Sequence, residues 1–205
     1  MADILSAVLG PAQGDDLYTE IIKENLDNRI LVFNQEVDDD AVENYILRIL
    51  KWNRDDIDIP VEKRKKIKIY INSVGGDTFV ASNMVDVIMQ SKTPIMVVGL
   101  SLVASAAFHI FLAGHERISF SHTIFLQHDG SISISNSSKK ARETMDFLSE
   151  SEQVTKEFVL ARTKMTEEFY DDHYDVELYL LATKAKELGI VDYIIGEDIS
   201  IEEIL

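Results

Sequence analysis

The chain has no cysteine, only three prolines and nine glycines, and far fewer basic than acidic side chains, 20 Lys and Arg against 36 Asp and Glu. The missing cysteine excludes disulfides and thiolate metal sites and fits a reducing compartment. The scarcity of proline and glycine excludes collagen-like and low-complexity chains. A formal net charge of −16 repels phosphate backbones and anionic headgroups, so neither a nucleic-acid nor a membrane partner is expected. The opening MADILSAVLGPAQGDD has no basic n-region and too short an apolar stretch for a secretory signal, and the expected location is cytoplasmic.

What is present is a globular composition: 205 residues, 46% of them apolar and 27% charged, enough for one well-buried domain. Residues 94–114 hold no Lys, Arg, Asp or Glu, a length that would cross a bilayer. Pro94, Gly99, Ser101, Ser105 and His109 interrupt that run. Its β-branched residues crowd the first half and helix formers the second, which reads as a buried strand running into a buried helix.

Residues 1–28 read as an irregular, mobile arm, with Gly10, Pro11 and Gly14 breaking any helix before a short amphipathic stretch at 17–25. Residues 29–205 then form a single domain. A strand is expected at 29–33 (RILVF), and a helix at 38–51 carries Val42, Tyr45, Ile46, Ile49 and Leu50 at helical spacing. A charged loop at 53–66 leads to a strand at 67–72 (IKIYIN), the turn SVGGD, and a helix of about 13 residues from Thr78. Strands at 117–120 and 123–127 follow the apolar segment, then a serine-rich polar stretch at 129–138. A long helix runs from Lys139 to about Met165, with Phe147, Val154, Phe158, Ala161 and Met165 along one side. A short helix at 182–188, capped by Gly189, and a strand at 190–195 complete the pattern. Strand-helix alternation predicts an α/β fold with a mainly parallel sheet and ligands beyond the carboxyl ends of its strands.

The residues able to do chemistry cluster at those ends. Gly75-Gly76 after a strand lets the backbone approach a ligand and aim N–H groups at developing negative charge, although a tight turn needs the same pair. Ser105 opens the helix AFHIFLAG directly after a strand, where helix N-terminal N–H groups converge, so its hydroxyl has the placement of a nucleophile and the Ala106 N–H that of an oxyanion donor. A helix-capping serine would sit there equally well. Among five histidines, His128 follows a strand and is the candidate base. His109, one turn after Ser105, is either a hydrogen-bonded core residue or a direct neighbour of the serine. His115, His122 and His173 fall at surface or turn positions. Asp171, Asp172, Asp175 and Glu177 offer carboxylates to orient an imidazole, and spacing does not choose among them.

Together these segments resemble the proteolytic subunit of the Clp protease, a family of serine peptidases, over about residues 17–196. INSVGGD resembles that family's INSPGGS, VASAAFHIFLAG resembles AASMGAFLLAAG, and ELYLLATKAKELGIVD resembles DxFxSAxEAxxYGLVD; RILVFNQEVDDD looks like its first strand and helix. The resemblance implies a ClpP/crotonase-like fold of repeated strand-helix units with a long protruding helix. Carried over by position, Ser105 falls on the nucleophile, His128 on the general base, and Gly76 and Ala106 on the backbone oxyanion donors. The family's acid, an aspartate, falls on Glu177, with Asp175 as a substitute two residues earlier. The basic ring-contact residue before the acid is Val176, and the proline of SPGG is Val74.

The implied function is a serine endopeptidase acting on unfolded polypeptide, without metal or organic cofactor. It is expected to form a homo-oligomeric heptameric ring or stacked double ring and to be served by an ATP-driven AAA+ unfoldase. Two other readings stand beside it: a structural subunit with a slack or silent triad, motivated by Glu177, and an acyl-CoA enzyme of the crotonase class, which also uses paired backbone N–H groups.

Overall fold

The structure is a computed structural model that describes residues 13–130 and 133–205. The breaks expected at Gly10 and Pro11 lie outside the described residues. Helix α1 (Gln13–Asp27) is longer than the amphipathic stretch read from the sequence. Gly14, expected to break it, lies in its first turn, where the amide N–H groups have no intrahelical partner to lose. Leu26 packs α1 against the core, and Lys65 Nζ donates to Asp27 O and Asn28 Oδ1 at its carboxyl end.

Strand β1 (Ile30–Phe33) follows Arg29, whose φ of 57° lies in the left-handed region. That strained turn is held by a bidentate ion pair, Arg29 to Asp56, at 2.5 and 2.7 Å. Asp56 is 1% exposed and also accepts from Thr93 Oγ1 at 2.8 Å. The helix expected at 38–51 opens with a π turn (Val42–Ile46) and continues as α2 (Leu47–Asp55) into the segment read as a loop. A 3-10 turn (Val61–Lys63) then leads to β2 (Ile67–Ser73), which alternates buried and half-buried residues as a strand with one covered face should.

Helix α3 (Thr78–Gln90) begins where expected because Asp77 caps it, its carboxylate accepting from the Phe79 and Val80 N–H groups. Strand β3 (Ile95–Ala104) and helix α4 (Ala106–Ala113) account for the long uncharged run. Seven of the eight α4 residues are buried, so a helix apolar all round lies inside the protein; among the described residues no helix is long and apolar enough to cross a membrane. Strands β4 (Glu116–Phe120) and β5 (Ile124–Gln127) precede α5 (Ser138–Arg162). Helix α6 (Glu167–Asp172), strand β6 (Leu178–Leu181), helix α7 (Ala182–Glu187), strand β7 (Tyr193–Ile195) and a 3-10 turn (Ile201–Ile204) complete the described chain.

The sheet runs β1-β2-β3-β4-β7, all parallel, with β5 pairing β3 and β6 pairing β5 antiparallel. On the edge away from β2, β3 serves two neighbours: residues 96–99 pair with β4 and residues 102–104 with β5. An irregularity opposite β2 separates the two halves, Ile71 pairing Gly99 but Ser73 pairing Val103. Helices cover one face of the sheet over the main core. The other face carries a small cluster of Met96, Val98 and Ile118 closed by Ile204 of the last turn.

Several elements differ from the sequence reading. Helix α6 lies in an acidic run that reads as solvated loop, and β6 (LYLL) directly follows that run and is too short to signal a strand by its periodicity. The last strand is Tyr193–Ile195, shorter than 190–195, since Gly189 and Ile190 complete the end of α7. The long helix ends at Arg162, and the apolar side drawn along it reaches the core only near that end: Val159 is buried and Phe158 packs beside it, while Phe147 and Val154 are exposed.

The Arg29–Asp56 pair generates a test of the fold. The guanidinium holds the Asp56 carboxyl below the ordinary carboxylate range, so its stabilisation is present above that range and is lost on acidification. Arg29→Ala, which leaves a buried carboxylate uncompensated, should cost about 3 kcal/mol in urea denaturation, and Arg29→Met with Asp56→Leu should cost less than the single change.

Candidate active site

Parallel pairing of Ala104 with Leu126, and the Ser105 N–H donating to Leu126 O at 2.9 Å, set Ser105 beside the end of β5. His128 is the next residue but one. Antiparallel pairing of Gln127 with Leu178 then sets Glu177 across from His128. The two side chains meet: His128 Nδ1 lies 3.0 Å from Glu177 Oε1. The imidazole is 28% exposed and the carboxylate 55%. Glu177 also faces the Tyr179 hydroxyl, and its carboxylate pushes that phenol above the ordinary tyrosine range.

Ser105 itself has φ 55° and ψ −127°, a strained turn between strand and buried helix that costs about 1–3 kcal/mol and tends to occur where function demands it. The Gly75-Gly76 loop lies directly on this turn. A Cβ on Gly75 would fall 2.6 Å from Ser105 Cβ and 2.7 Å from Ala104 O, so only glycine permits the approach. Gly76, at φ 149°, bridges to Val37, and a Cβ there would collide with the Val37 backbone. The neighbours of Gly76 take up the bridge, Val37 N–H donating to Gly75 O and Asp77 N–H to Val37 O. Among the described residues neither the Gly76 nor the Ala106 N–H donates to a backbone carbonyl.

The structure thus brings Ser105, His128, Glu177, Gly76 and Ala106 to one end of the sheet. The serine hydroxyl and His128 are not hydrogen-bonded to each other; catalytic contacts of this kind are often loose in unliganded proteins. Asp175 makes no hydrogen bond to His128, and Val74 and Val176 are both exposed. His173 stacks on Phe169, with its Nδ1 2.8 Å from Phe169 O. Among the described residues no group of three or more His, Asp or Glu is placed to hold a metal.

A profile of the Clp protease family matches residues 13–198. The chain belongs to the Clp protease family. Its relatives include ATP-dependent Clp protease proteolytic subunit 2 of Corynebacterium glutamicum, 24% identical and covering 95% of this chain and 94% of the relative. The ATP-dependent Clp protease proteolytic subunit of Chlorella vulgaris is 29% identical over 89% of this chain and 87% of its own length. Among solved structures, a ClpP1 point mutant of Listeria monocytogenes superposes with a TM-score of 0.73 over 90% of this chain and 99% of its own, at 23% identity. The fold is therefore that of Clp proteolytic subunits, mixed α/β with a mainly parallel sheet, and the family is one of serine-type peptidases.

One neighbour of this Clp-family site was underestimated from sequence. His109 is the one α4 residue that is not fully buried, and no hydrogen bond ties it to Ser105. Desolvation, with the field of His128 adding to it, lowers its pKa from 6.5 to about 4, so the ring is neutral at neutral pH. A helical period and a lone histidine signal a buried position but not the second imidazole that β5 delivers beside it. The depressed value makes His109 a source of acid sensitivity: the unfolded chain takes up the proton first, so stability falls as the pH drops from 6.5 to about 4. His109→Leu should flatten that dependence by on the order of 2 kcal/mol, read as urea-unfolding free energies across the window.

Proposed function

We propose that the chain is the serine endopeptidase subunit of a Clp-like barrel, hydrolysing peptide bonds of unfolded polypeptide with Ser105, His128 and Glu177. The observation that carries this reading is the His128–Glu177 contact, made across a strand pair whose other side adjoins the strained Ser105 turn. With Nδ1–H donating to Glu177, the neutral ring keeps its Nε2 lone pair for a proton. His128 takes the Ser105 proton as Oγ attacks the scissile carbonyl, then gives it to the departing amine, leaving an acyl-enzyme. Water, deprotonated by His128, attacks the ester and releases the carboxylate product, restoring the serine. The Gly76 and Ala106 N–H groups bind the oxyanion of both tetrahedral intermediates. Glu177 fills the acid's role in preference to Asp175 because its carboxylate meets the imidazole.

In the same proposal, residues 29–205 form the catalytic domain and residues 1–28 an arm. Subunits of this chain assemble into a heptameric ring, paired with a second ring through α5, and an ATP-driven unfoldase supplies substrate. The exposed Met145, Phe147 and Val154 on α5 support contact through that helix, since the first turns of α5 stand clear of the core. The absence of a hydrogen bond between Ser105 and His128 favours one second reading, a subunit whose triad is silent.

A fluorophosphonate probe separates the two. It should label the wild-type chain and not Ser105→Ala; an unlabelled wild type would make the subunit silent. Glu177→Gln should lower kcat on a fluorogenic peptide by about a hundredfold to ten-thousandfold with little change in KM, as expected when the imidazole loses its orienting anion. Phe147→Glu with Val154→Glu should shift sedimentation from a double ring towards single rings or smaller species.

A further inference from the structure

A second concave site lies at the far pole of the sheet. It opens at the amino ends of β3 and β4, whereas Ser105 follows the carboxyl end of β3, roughly 30 Å away at about 3.3 Å per strand residue. The cavity is about 870 Å³, and Lys66, Arg117, Arg162, Lys164 and Lys186 line it together with His115. A quarter of the chain's 20 Lys and Arg therefore gather in one hollow of a protein whose net charge is −16. The two carboxylates in the lining are already engaged. Glu116 pairs with Lys66 at 2.6 Å, and Asp192 accepts from Arg117 at 2.7 and 3.2 Å while also taking the Arg117 backbone N–H.

Lys186 pairs with Asp198, which lies outside the lining, so the positive charge left over is that of Arg162 and Lys164. Arg162 gives two of its N–H groups to main-chain carbonyls, Leu112 O at 2.9 Å and Gly114 O at 2.6 Å, and pairs with no carboxylate among the described residues. Lys164 likewise has no carboxylate partner among them. The Arg162 guanidinium is crowded by Arg117, and burial together with that like charge pushes it below the ordinary arginine range. Arg162 also adds to the burial that holds His115 down. His115 accepts from the Ile95 N–H through Nδ1 at 3.1 Å, which fixes the ring at the rim of the hollow.

We propose that this cavity binds a small anion bearing two or more phosphoryl groups. Guanidinium and ammonium donors match phosphoryl oxygens, and the volume is that of a nucleotide-sized ligand. The charge balance selects a small ligand over an acidic polymer. A compact anion seated in the hollow feels the local cations within a Debye length of about 8 Å, while an acidic chain running beyond it meets the acidic surface. The site stands apart from Ser105 and does not depend on hydrolysis.

Inorganic tripolyphosphate is a suitable probe, titrated calorimetrically into the full chain in buffer without phosphate or sulfate. Saturable binding of one anion per chain is expected, unchanged in Ser105→Ala and weakened about tenfold or more in Lys164→Glu, the loss of one charge-assisted contact plus repulsion. Arg162→Gln should weaken it to a similar degree. Because Arg162 also ties down two carbonyls, Lys164→Gln at an exposed position serves as the milder variant if thermal midpoints fall. Absence of saturable binding, equal affinity in the Lys164 variants, or tighter binding of a hexaglutamate peptide than of tripolyphosphate would each overturn the assignment.

Discussion

The double pairing of β5 is the constraint on which the candidate site depends. Its parallel pairing with the end of β3 sets the depth of His128 relative to Ser105, and its antiparallel pairing with β6 sets Glu177 opposite. A one-residue slip in either pairing would turn the affected side chains to the other face of the sheet. The irregularity in β3 permits both pairings, because it lets one strand leave β4 and take up β5 without ending. Buried Phe125, packed against Phe111 of α4 at 5.0 Å between ring centroids, ties that register to the apolar core.

Backbone strain is concentrated where this register delivers its side chains. Ser105 and Gly75 occupy left-handed conformations in contact with each other, and the buried helix behind them gives neither room to relax. The apolar run that resembles a membrane span is thus the rigid foundation of a polar site. At its other end β3 meets basic side chains, so one strand joins two regions of opposite character: strained backbone amides and imidazoles at one pole, and crowded guanidinium and ammonium groups at the other.

The repeated strand-helix units were legible because each carries its own local signal: the uncharged run of β3 and α4, the Asp77 cap of α3, the glycine ending α7. Ser105, His128 and the glycine pair were legible one at a time, by position after a strand, and the ordered motifs of the family resemblance joined them. The choice between Glu177 and Asp175 was not legible, because it rests on β6, a strand of only four residues just after an acidic stretch, which exists through pairing with β5 and not through its own periodicity. The basic cavity escaped for a related reason. Lys66, Arg117, Arg162 and Lys186 are scattered along the sequence, each looks like an ordinary surface charge, and only the sheet gathers them.

The distance along the chain between His128 and Glu177 has a bearing on biosynthesis. The imidazole acquires its anion only from a segment 49 residues further on. At about 5–20 residues per second, a ribosome needs several seconds after making β5 before it has made β6. Throughout that interval the nascent polypeptide carries the serine elbow and the glycine loop but no oriented base. On the proposed mechanism, the order of the genetic text leaves the half-made subunit without the carboxylate that orients His128 until β6 has emerged.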